Sequence, residues 1–263
     1  MGKDLVKQDN NVMKQGGVAG RGFENVDMEQ ISMPRVKIMQ GLSPELQDED
    51  YDFKMGDLVH GLLMEKLPEV FVPISIWDSR TMFVPRNATD KKKFFEDIGL
   101  PETDTMIVCR SLNGRELDVT FNAFNNRSCK DCKFKGFGWD GNPDTKPLCT
   151  HTINILALFE GQDMPVVIQF SNTNFKYGKR FRDSAFFSGG DLFSKMYKIK
   201  SKKEQNDMGT FFTTPVKPFG KVTEEETIKK VFDMYKLYSR VDIEVEDEIN
   251  EKEEVPTEKG VEF

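Results

Sequence analysis

Short apolar runs, broken by Gly and Pro, recur along most of the chain between residues 31 and 240. Many of these runs are rich in Val, Ile, Phe and Tyr, and such runs between turn-forming residues are typical of β-strands. Asn113-Gly114, between two of them, is the commonest dipeptide of tight hairpins. The pattern predicts strands in the segments 33–41, 54–66, 70–86, 105–111, 116–124, 151–161, 164–172, 191–204 and 209–220.

Three other segments have apolar residues at helical spacing. In the first, Thr89 or Asp90 is a suitable N-terminal cap. In the third, Thr223 and Glu226 have the spacing of a capping box, and the apolar residues that follow share one face. The second is unusually basic. The pattern predicts helices in the segments 87–100, 174–187 and 223–238.

Many strands with few helices indicate a mainly antiparallel β-domain. A Greek-key barrel of the oligonucleotide-binding (OB) type, elaborated by a zinc-binding loop, fits the length and the strand pattern, and a β-sandwich is the alternative. Composition divides the chain into three parts. This composition predicts a flexible N-terminal arm at residues 1–30 and a folded core at residues 31–240, with a zinc subdomain at about 109–151. It also predicts a disordered acidic tail at residues 241–263.

Three of the four cysteines have the spacing of a zinc site. Cys129 and Cys132 form a C-x-x-C turn that supplies two ligands, and Cys149 follows after sixteen residues. Either Cys109 or His151 completes a tetrahedral site, and we favour Cys109 because thiolates suit closed structural sites. A redox pair is the alternative, but the surrounding Asn and Gly residues indicate a loop rather than a thioredoxin-like junction. The sequence therefore predicts one structural zinc ion.

Charge is distributed unevenly along the chain. The net charge is −7, but residues 241–263 contain ten acidic and two basic residues, so the rest carries a net charge of +1. Residues 170–203 contain nine Lys or Arg and two Asp. A basic body favours a polyanionic partner, and a tethered acidic tail can compete for a basic groove or recruit another protein.

The sequence offers little for catalysis. It has two histidines, no Gly-x-Ser-x-Gly motif, no phosphate-binding loop ending in Lys-Ser or Lys-Thr, and no His-x-Glu of a zinc deaminase upstream of its C-x-x-C. We therefore expect no enzymatic activity. No apolar stretch is long enough to span a bilayer, and the first residues lack the apolar core of a signal peptide, so we expect a cytoplasmic protein.

Aromatic residues alternate with basic ones in several segments. Unpaired bases stack on aromatic rings while Lys and Arg follow the phosphates, a combination typical of sequence-tolerant binding to single strands. Core packing accounts for many of the 22 Phe, so the clustering of charge is the stronger signal. The residues that we expect to contact DNA are Trp77, Arg80, Phe83, Arg110, Lys133, Lys135, Phe137, Trp139, Lys176, Tyr177, Lys179, Arg180 and Arg182.

Several motifs occur together: Cys109-Arg110-Ser111, Asn113-Gly114, Cys129, Cys132, Cys149, a strand ending near Phe170-Ser171, and an acidic end with terminal Phe263. In these features the chain resembles the single-stranded DNA-binding proteins of tailed bacteriophages, which are zinc-containing OB-fold proteins with an acidic tail. The resemblance implies coating and protection of single-stranded DNA in phage DNA replication, recombination and repair, inside a bacterial host cell. It also implies cooperative self-association through the N-terminal arm, and recruitment of replication and recombination proteins by the tail. The alternative function is a zinc-containing protein–protein adaptor of a phage replication or transcription complex.

Overall fold

Antiparallel strands dominate the part of the chain that the structure describes. The computed structural model describes residues 32–118, 120–124, 128–206, 209–239, 243 and 245. The predicted N-terminal arm, and the predicted tail except for Ile243 and Val245, lie outside these residues. The strands are β1 (Val36–Ile38), β2 (Leu58–His60), β3 (Glu65–Lys66), β4 (Val70–Phe83), β5 (Ile107–Ser111), β6 (Thr150–Phe159), β7 (Val166–Phe170), β8 (Lys195–Ile199), β9 (Lys202–Asn206), β10 (Gly209–Thr213) and β11 (Val216–Lys221). The helices are α1 (Ala88–Ile98), α2 (Phe175–Phe187) and α3 (Glu225–Tyr238).

The main sheet is organised around β4, a strand of 14 residues. Its strands lie in the order β11-β8-β4-β6-β7, and neighbouring strands are antiparallel. Strand β6 pairs with almost the whole length of β4, whereas β8 and β5 pair with the two ends of its other edge. A bulge lies between Pro73 and Ser75 of β4, because proline cannot donate a hydrogen bond to the sheet.

Each face of this sheet is covered by one helix. On the face that we call the α2 face, Ile155 of β6 packs with Phe181 of α2 in one apolar cluster. On the opposite face, the α3 face, Leu156 of β6 packs with Val231 of α3 in a second cluster. Successive side chains of a strand point to opposite faces. Odd-numbered residues of β6 therefore lie on the α2 face, and even-numbered residues lie on the α3 face.

The architecture is mainly β and is consistent with the OB-like class that the sequence predicts. Among the described strands, none closes the main sheet into a barrel. Strands β1–β3 and β9–β10 form two smaller antiparallel sheets. The division into domains stays a prediction. Within the stretch assigned to the tail, Ile243 is buried in the cluster beneath α3 and Val245 forms a parallel bridge with Met33.

All three predicted helices are confirmed, but the caps predicted for the first and the third differ from those in the structure. Asn87, rather than Thr89 or Asp90, caps α1, because its side-chain oxygen accepts the N–H of Thr89 at 2.9 Å. The cap position of α3 is Glu224, which makes no side-chain cap bond, so the capping box predicted from Thr223 is not formed. No helix in the described ranges is both long and apolar enough to cross a bilayer.

The second arm of the predicted hairpin is not a regular strand in the residues described there. The side chain of Asn113 accepts the N–H groups of Arg115 and Glu116, each at 2.9 Å, and this turn interrupts regular pairing with β5. The backbone of the segment meets β5 only at an isolated bridge and a few hydrogen bonds. The strands predicted at 191–204 and 209–220 also exist, but each is divided into two shorter strands.

The side chain of Gln40 occupies the outer edge of β10. Its Nε2 donates to the carbonyl oxygen of Phe212 at 3.2 Å, and the N–H of Phe212 donates to its Oε1 at 2.9 Å. Both backbone groups of Phe212 are therefore satisfied at this edge without a further strand.

Helix α2 approaches β7 closely at Gly178. A Cβ added there would lie 2.6 Å from the Cβ of Phe170, so one of the two elements would have to shift. We expect Gly178→Ala to lower the free energy of unfolding by about 1–3 kcal/mol, because overpacking outweighs the gain in helix propensity. Urea denaturation measures this change, with Gly136→Ala as the control, since nothing lies within 4 Å of a Cβ at that position. Equal stability of Gly178→Ala and the parent would contradict this packing.

Candidate nucleic-acid interface and cysteine cluster

The fold brings the four cysteines to one end of β4. Cys109 lies on β5 opposite Met82 of β4, and Cys149 directly precedes β6. Cys129 and Cys132 begin the segment 129–139, which we call the knuckle, and the N–H of Cys132 donates to the carbonyl oxygen of Cys129 at 3.4 Å. Cys109 and Cys129 are buried, with 6% and 7% of their surface exposed.

The interactions that shift the pKa values of Cys109, Cys132 and Cys149 involve all four thiols, so the four are neighbours in space. A hydrogen bond with Cys149 lowers the pKa of Cys132 to about 6, and the same bond raises the pKa of Cys149. Burial, followed by the thiols of Cys129 and Cys132, raises the pKa of Cys109 to about 12. In the described residues, no group of three or more His, Cys, Asp or Glu side chains has the geometry of a metal site. Four thiols suit zinc by their chemistry, and zinc ligation stays a prediction.

His151 lies on the α2 face, and both of its ring nitrogens have partners. Nδ1 lies 3.4 Å from a guanidinium nitrogen of Arg80, and Nε2 lies 3.1 Å from a carboxylate oxygen of Asp78. Because a guanidinium can only donate, Nδ1 accepts, and Nε2 carries the proton that it donates to Asp78. The ring also packs on Phe175 of α2, with 4.7 Å between the ring centroids.

Asp78 joins the main sheet to α2. Besides the bond from His151, it accepts two hydrogen bonds from Arg182 of α2, at 3.0 and 3.2 Å. The bond from His151, with the charges of Arg182 and Arg80, holds the pKa of Asp78 below its usual value, although burial opposes this shift. Arg80 also donates to the carbonyl oxygen of Lys135 in the knuckle at 3.4 Å. Asp78, Arg80, His151 and Arg182 therefore form an ionic cluster that links the knuckle to α2.

The α3 face of the same strands carries a groove of about 340 Å³. Four side chains of β4 at alternate positions, from Trp77 to Phe83, line it together with residues of β5, β6 and β7. Phe83 is 39% exposed, and Trp77 is half-buried against the cluster beneath α3. The groove thus combines an accessible ring with polar strand residues.

Two arginines of this groove differ in their contacts. Arg110 of β5 is paired with Asp118 at 2.7 Å, and its guanidinium carbon lies 4.5 Å from the centroid of the Phe121 ring. Arg86 follows the end of β4, is exposed, and has no partner among the described residues. Of these two arginines, Arg86 is therefore the one whose charge is directly available to a ligand.

A row of side chains crosses the groove from strand to strand. Trp77 of β4, Asn154 of β6 and Gln169 of β7 lie directly opposite one another in the sheet register. Asn154 is fully buried, and its Nδ2 donates to Oγ of Ser79 at 2.8 Å. Its Oδ1 accepts a hydrogen bond from Nε2 of Gln169 at 3.2 Å. The orientations of both amides are therefore fixed by one chain of hydrogen bonds.

The predicted DNA contacts on the main sheet, together with Arg182 of α2, fall on the two faces of that sheet. Trp77, Phe83 and Arg110 line the groove. Arg80 and Arg182 belong to the ionic cluster on the opposite face, where protein groups already accept their hydrogen bonds. Alternation along β4 after the bulge places Arg80 on the opposite face from Trp77 and Phe83. The faces of Arg110 and Arg182 depend on how β5 and α2 pack against β4, which the sequence does not show.

The predicted contacts of the knuckle differ in exposure. Phe137 is 69% exposed, and Lys133 is exposed as well. Lys135 donates to the carbonyl oxygen of Lys130, and Trp139 is half-buried in the apolar cluster at the end of β4. Phe137 and Lys133 are therefore the more accessible members of this set.

The predicted contacts of α2 lie away from the groove, because α2 covers the other face of the sheet. Tyr177 donates to Glu204 of β9 at 2.9 Å, and Lys176 lies 3.7 Å from the same carboxylate. Lys179 and Arg180 are exposed and have no partner in the described part of the chain.

The sequence interpretation missed most of the groove lining, and its omissions include Arg86, Asn154 and Gln169. A signal existed for each of them. Arg86 is a basic residue at the end of a strand that contains Phe83, and Asn154 and Gln169 are polar residues inside otherwise apolar strands.

The chain matches a family model of phage proteins. That model, described as Pam3 phage gp34-like protein, covers residues 3–243. No curated protein and no solved structure matches the chain. The match agrees with the phage origin that the resemblance implies, and its description states no activity. The chain therefore belongs to the family of Pam3 phage gp34-like proteins.

Proposed function

We propose that the protein binds single-stranded DNA without catalysis, and that it coats and protects such strands during phage DNA replication, recombination and repair. The observation that carries this proposal is the groove on the α3 face. It holds an accessible ring, Phe83, and an arginine without a protein partner, Arg86, near the same end of β4. Stacking on an aromatic ring and attraction of phosphate by a cation are the two interactions that sequence-tolerant binding to single strands requires.

Exposed cations outside the groove strengthen the attraction for DNA. Lys179 and Arg180 on α2 and Lys133 in the knuckle face solvent. Charges act over about 10 Å at 0.1 M salt, so these residues favour a polyanion without touching the bases. Arg80 and Arg182 instead contribute through the ionic cluster, which holds α2 and the knuckle in place.

We also propose that Cys109, Cys129, Cys132 and Cys149 hold one structural zinc ion. The four thiols lie together at the end of β4, and three of them join the apolar cluster there. Both ring nitrogens of His151 are engaged by other groups, which favours Cys109 as the fourth ligand. The zinc would cross-link β5, the knuckle and the start of β6.

Replacing Phe83 by Ala is expected to weaken binding to a labelled dT oligomer by about tenfold, because stacking contributes about 1–3 kcal/mol per base. The parent protein should lose affinity with salt at a log–log slope of about −0.7 for each phosphate contact. Fluorescence anisotropy at two salt concentrations measures both effects, with a duplex of equal length for comparison.

Phe232→Ala is the matched control, because Phe232 on α3 is 40% exposed but does not line the groove. Equal losses in both variants would remove the groove from the interface. Weak binding of the parent that does not depend on salt would favour the adaptor function. Degradation of the strand in magnesium would instead indicate a nuclease.

A further inference from the structure

The row formed by Trp77, Asn154 and Gln169 has hydrogen-bonding groups that the fold itself does not use. Asn154 is fully buried, with Nδ2 bonded to Ser79 and Oδ1 bonded to Gln169. Gln169 gives one N–H of its amide to Asn154, and its other N–H and its Oε1 have no partner in the described residues. The buried side chain of Asn154 therefore fixes the orientation of the Gln169 amide at the groove surface.

The amide of Gln169 can pair with the edge of an unpaired base. It offers an acceptor beside a donor, and every nucleobase has an adjacent donor and acceptor on its Watson–Crick edge. Neighbouring strands lie about 4.8 Å apart, so Trp77 and Gln169 stand about 10 Å from each other with Asn154 between them. All three residues line the groove, whose volume of about 340 Å³ leaves space for one base.

On this basis, and resting on the proposed function, we propose that the groove receives one unpaired base whose Watson–Crick edge is hydrogen-bonded by Gln169. Such a contact does not select one base, because an amide can match the edge of each of them. It does reject duplex DNA, in which the complementary strand already occupies the same edge. Gln169 would therefore be a residue that distinguishes single from double strands.

A dT oligomer built from N3-methylthymidine tests this contact. The methyl group removes the donor of the Watson–Crick edge while the ring remains able to stack. We expect the parent protein to bind the methylated oligomer about tenfold more weakly than plain dT at the same salt concentration, since two hydrogen bonds are affected. In Gln169→Met, which keeps the length of the side chain but lacks the amide, the two oligomers should bind equally.

The ratio of the two affinities separates a direct contact from a structural role. A merely structural Gln169 would leave the ratio in Gln169→Met as large as in the parent, which would overturn the assignment. Equal binding of both oligomers by the parent protein would overturn the base-edge contact while leaving DNA binding intact. Failure of the parent to bind plain dT would overturn the proposed function and this inference together. If Gln169→Met does not fold, Gln169→Leu takes its place, because the assignment to Gln169 needs a variant that lacks the amide.

Discussion

Replacing Cys129 and Cys132 together by Ser is expected to abolish zinc binding and to lower the thermal unfolding midpoint by about 10 °C or more. The two residues supply half of the proposed ligands, and serine hydroxyls are poor ligands for zinc in such sites. Structural zinc contributes directly to folding free energy. A loss of about 4 kcal/mol corresponds to about 10 °C in a protein of this size. Metal content per chain and thermal unfolding measure the two effects.

Two single substitutions test the choice of the fourth ligand. Cys109→Ser should lower the zinc content, whereas His151→Asn should retain one zinc per chain, because both ring nitrogens of His151 are bonded to Asp78 and Arg80. Loss of zinc from His151→Asn alone would reverse the assignment. One zinc per chain in the variant lacking both Cys129 and Cys132 would show that the metal site lies elsewhere.

The second large effect is expected from Asp78→Ala. This substitution leaves Arg80, His151 and Arg182 facing one another without the carboxylate that accepts from His151 and Arg182. We expect the free energy of unfolding to fall by about 1–3 kcal/mol, an amount moderated by the partial exposure of Asp78 to solvent. Urea denaturation at neutral pH measures this loss.

Asp183→Ala is the matched control, because Asp183 is an exposed acid on α2 without a described partner. The difference between the two variants should also depend on pH. The pKa of Asp78 is lowered in the folded protein, so its stabilising contribution is complete above a pH of about 4 and is lost as the pH falls through the lowered value. Equal destabilisation by both substitutions would contradict the role of the ionic cluster.

The sequence predicted the cysteine cluster because its main signal is local. Cys129 and Cys132 are separated by two residues in one turn, and their spacing alone indicates a pair of ligands. The position of Cys109 depends on the pairing of β5 with β4, whereas the sequence predicted the strand at 105–111 but not this partner. The hairpin around Asn113 was wrong in its second arm, because a side-chain turn competes with strand pairing there.

The groove could not be predicted to the same extent. Its residues come from strands far apart in the sequence, and a bulge at Pro73 decides which side chains of β4 face α3. Asn154 lies in an apolar run, where its burial and its bonds to Ser79 and Gln169 depend on the register of three strands. Patterns along the chain predict each strand, but they do not predict which side chains of neighbouring strands lie opposite one another.

The side chain of Gln40 also affects whether another copy of the protein can pair with the edge of β10. Strand β10 has Phe211 and Phe212 at its centre, and such an aromatic edge strand is a template to which a strand of another molecule can add. The two hydrogen bonds between Gln40 and Phe212 take up that backbone position. A protein that coats DNA, as we propose, is held at high local concentration. At that concentration, an edge that is occupied at this position disfavours strand pairing between neighbouring copies.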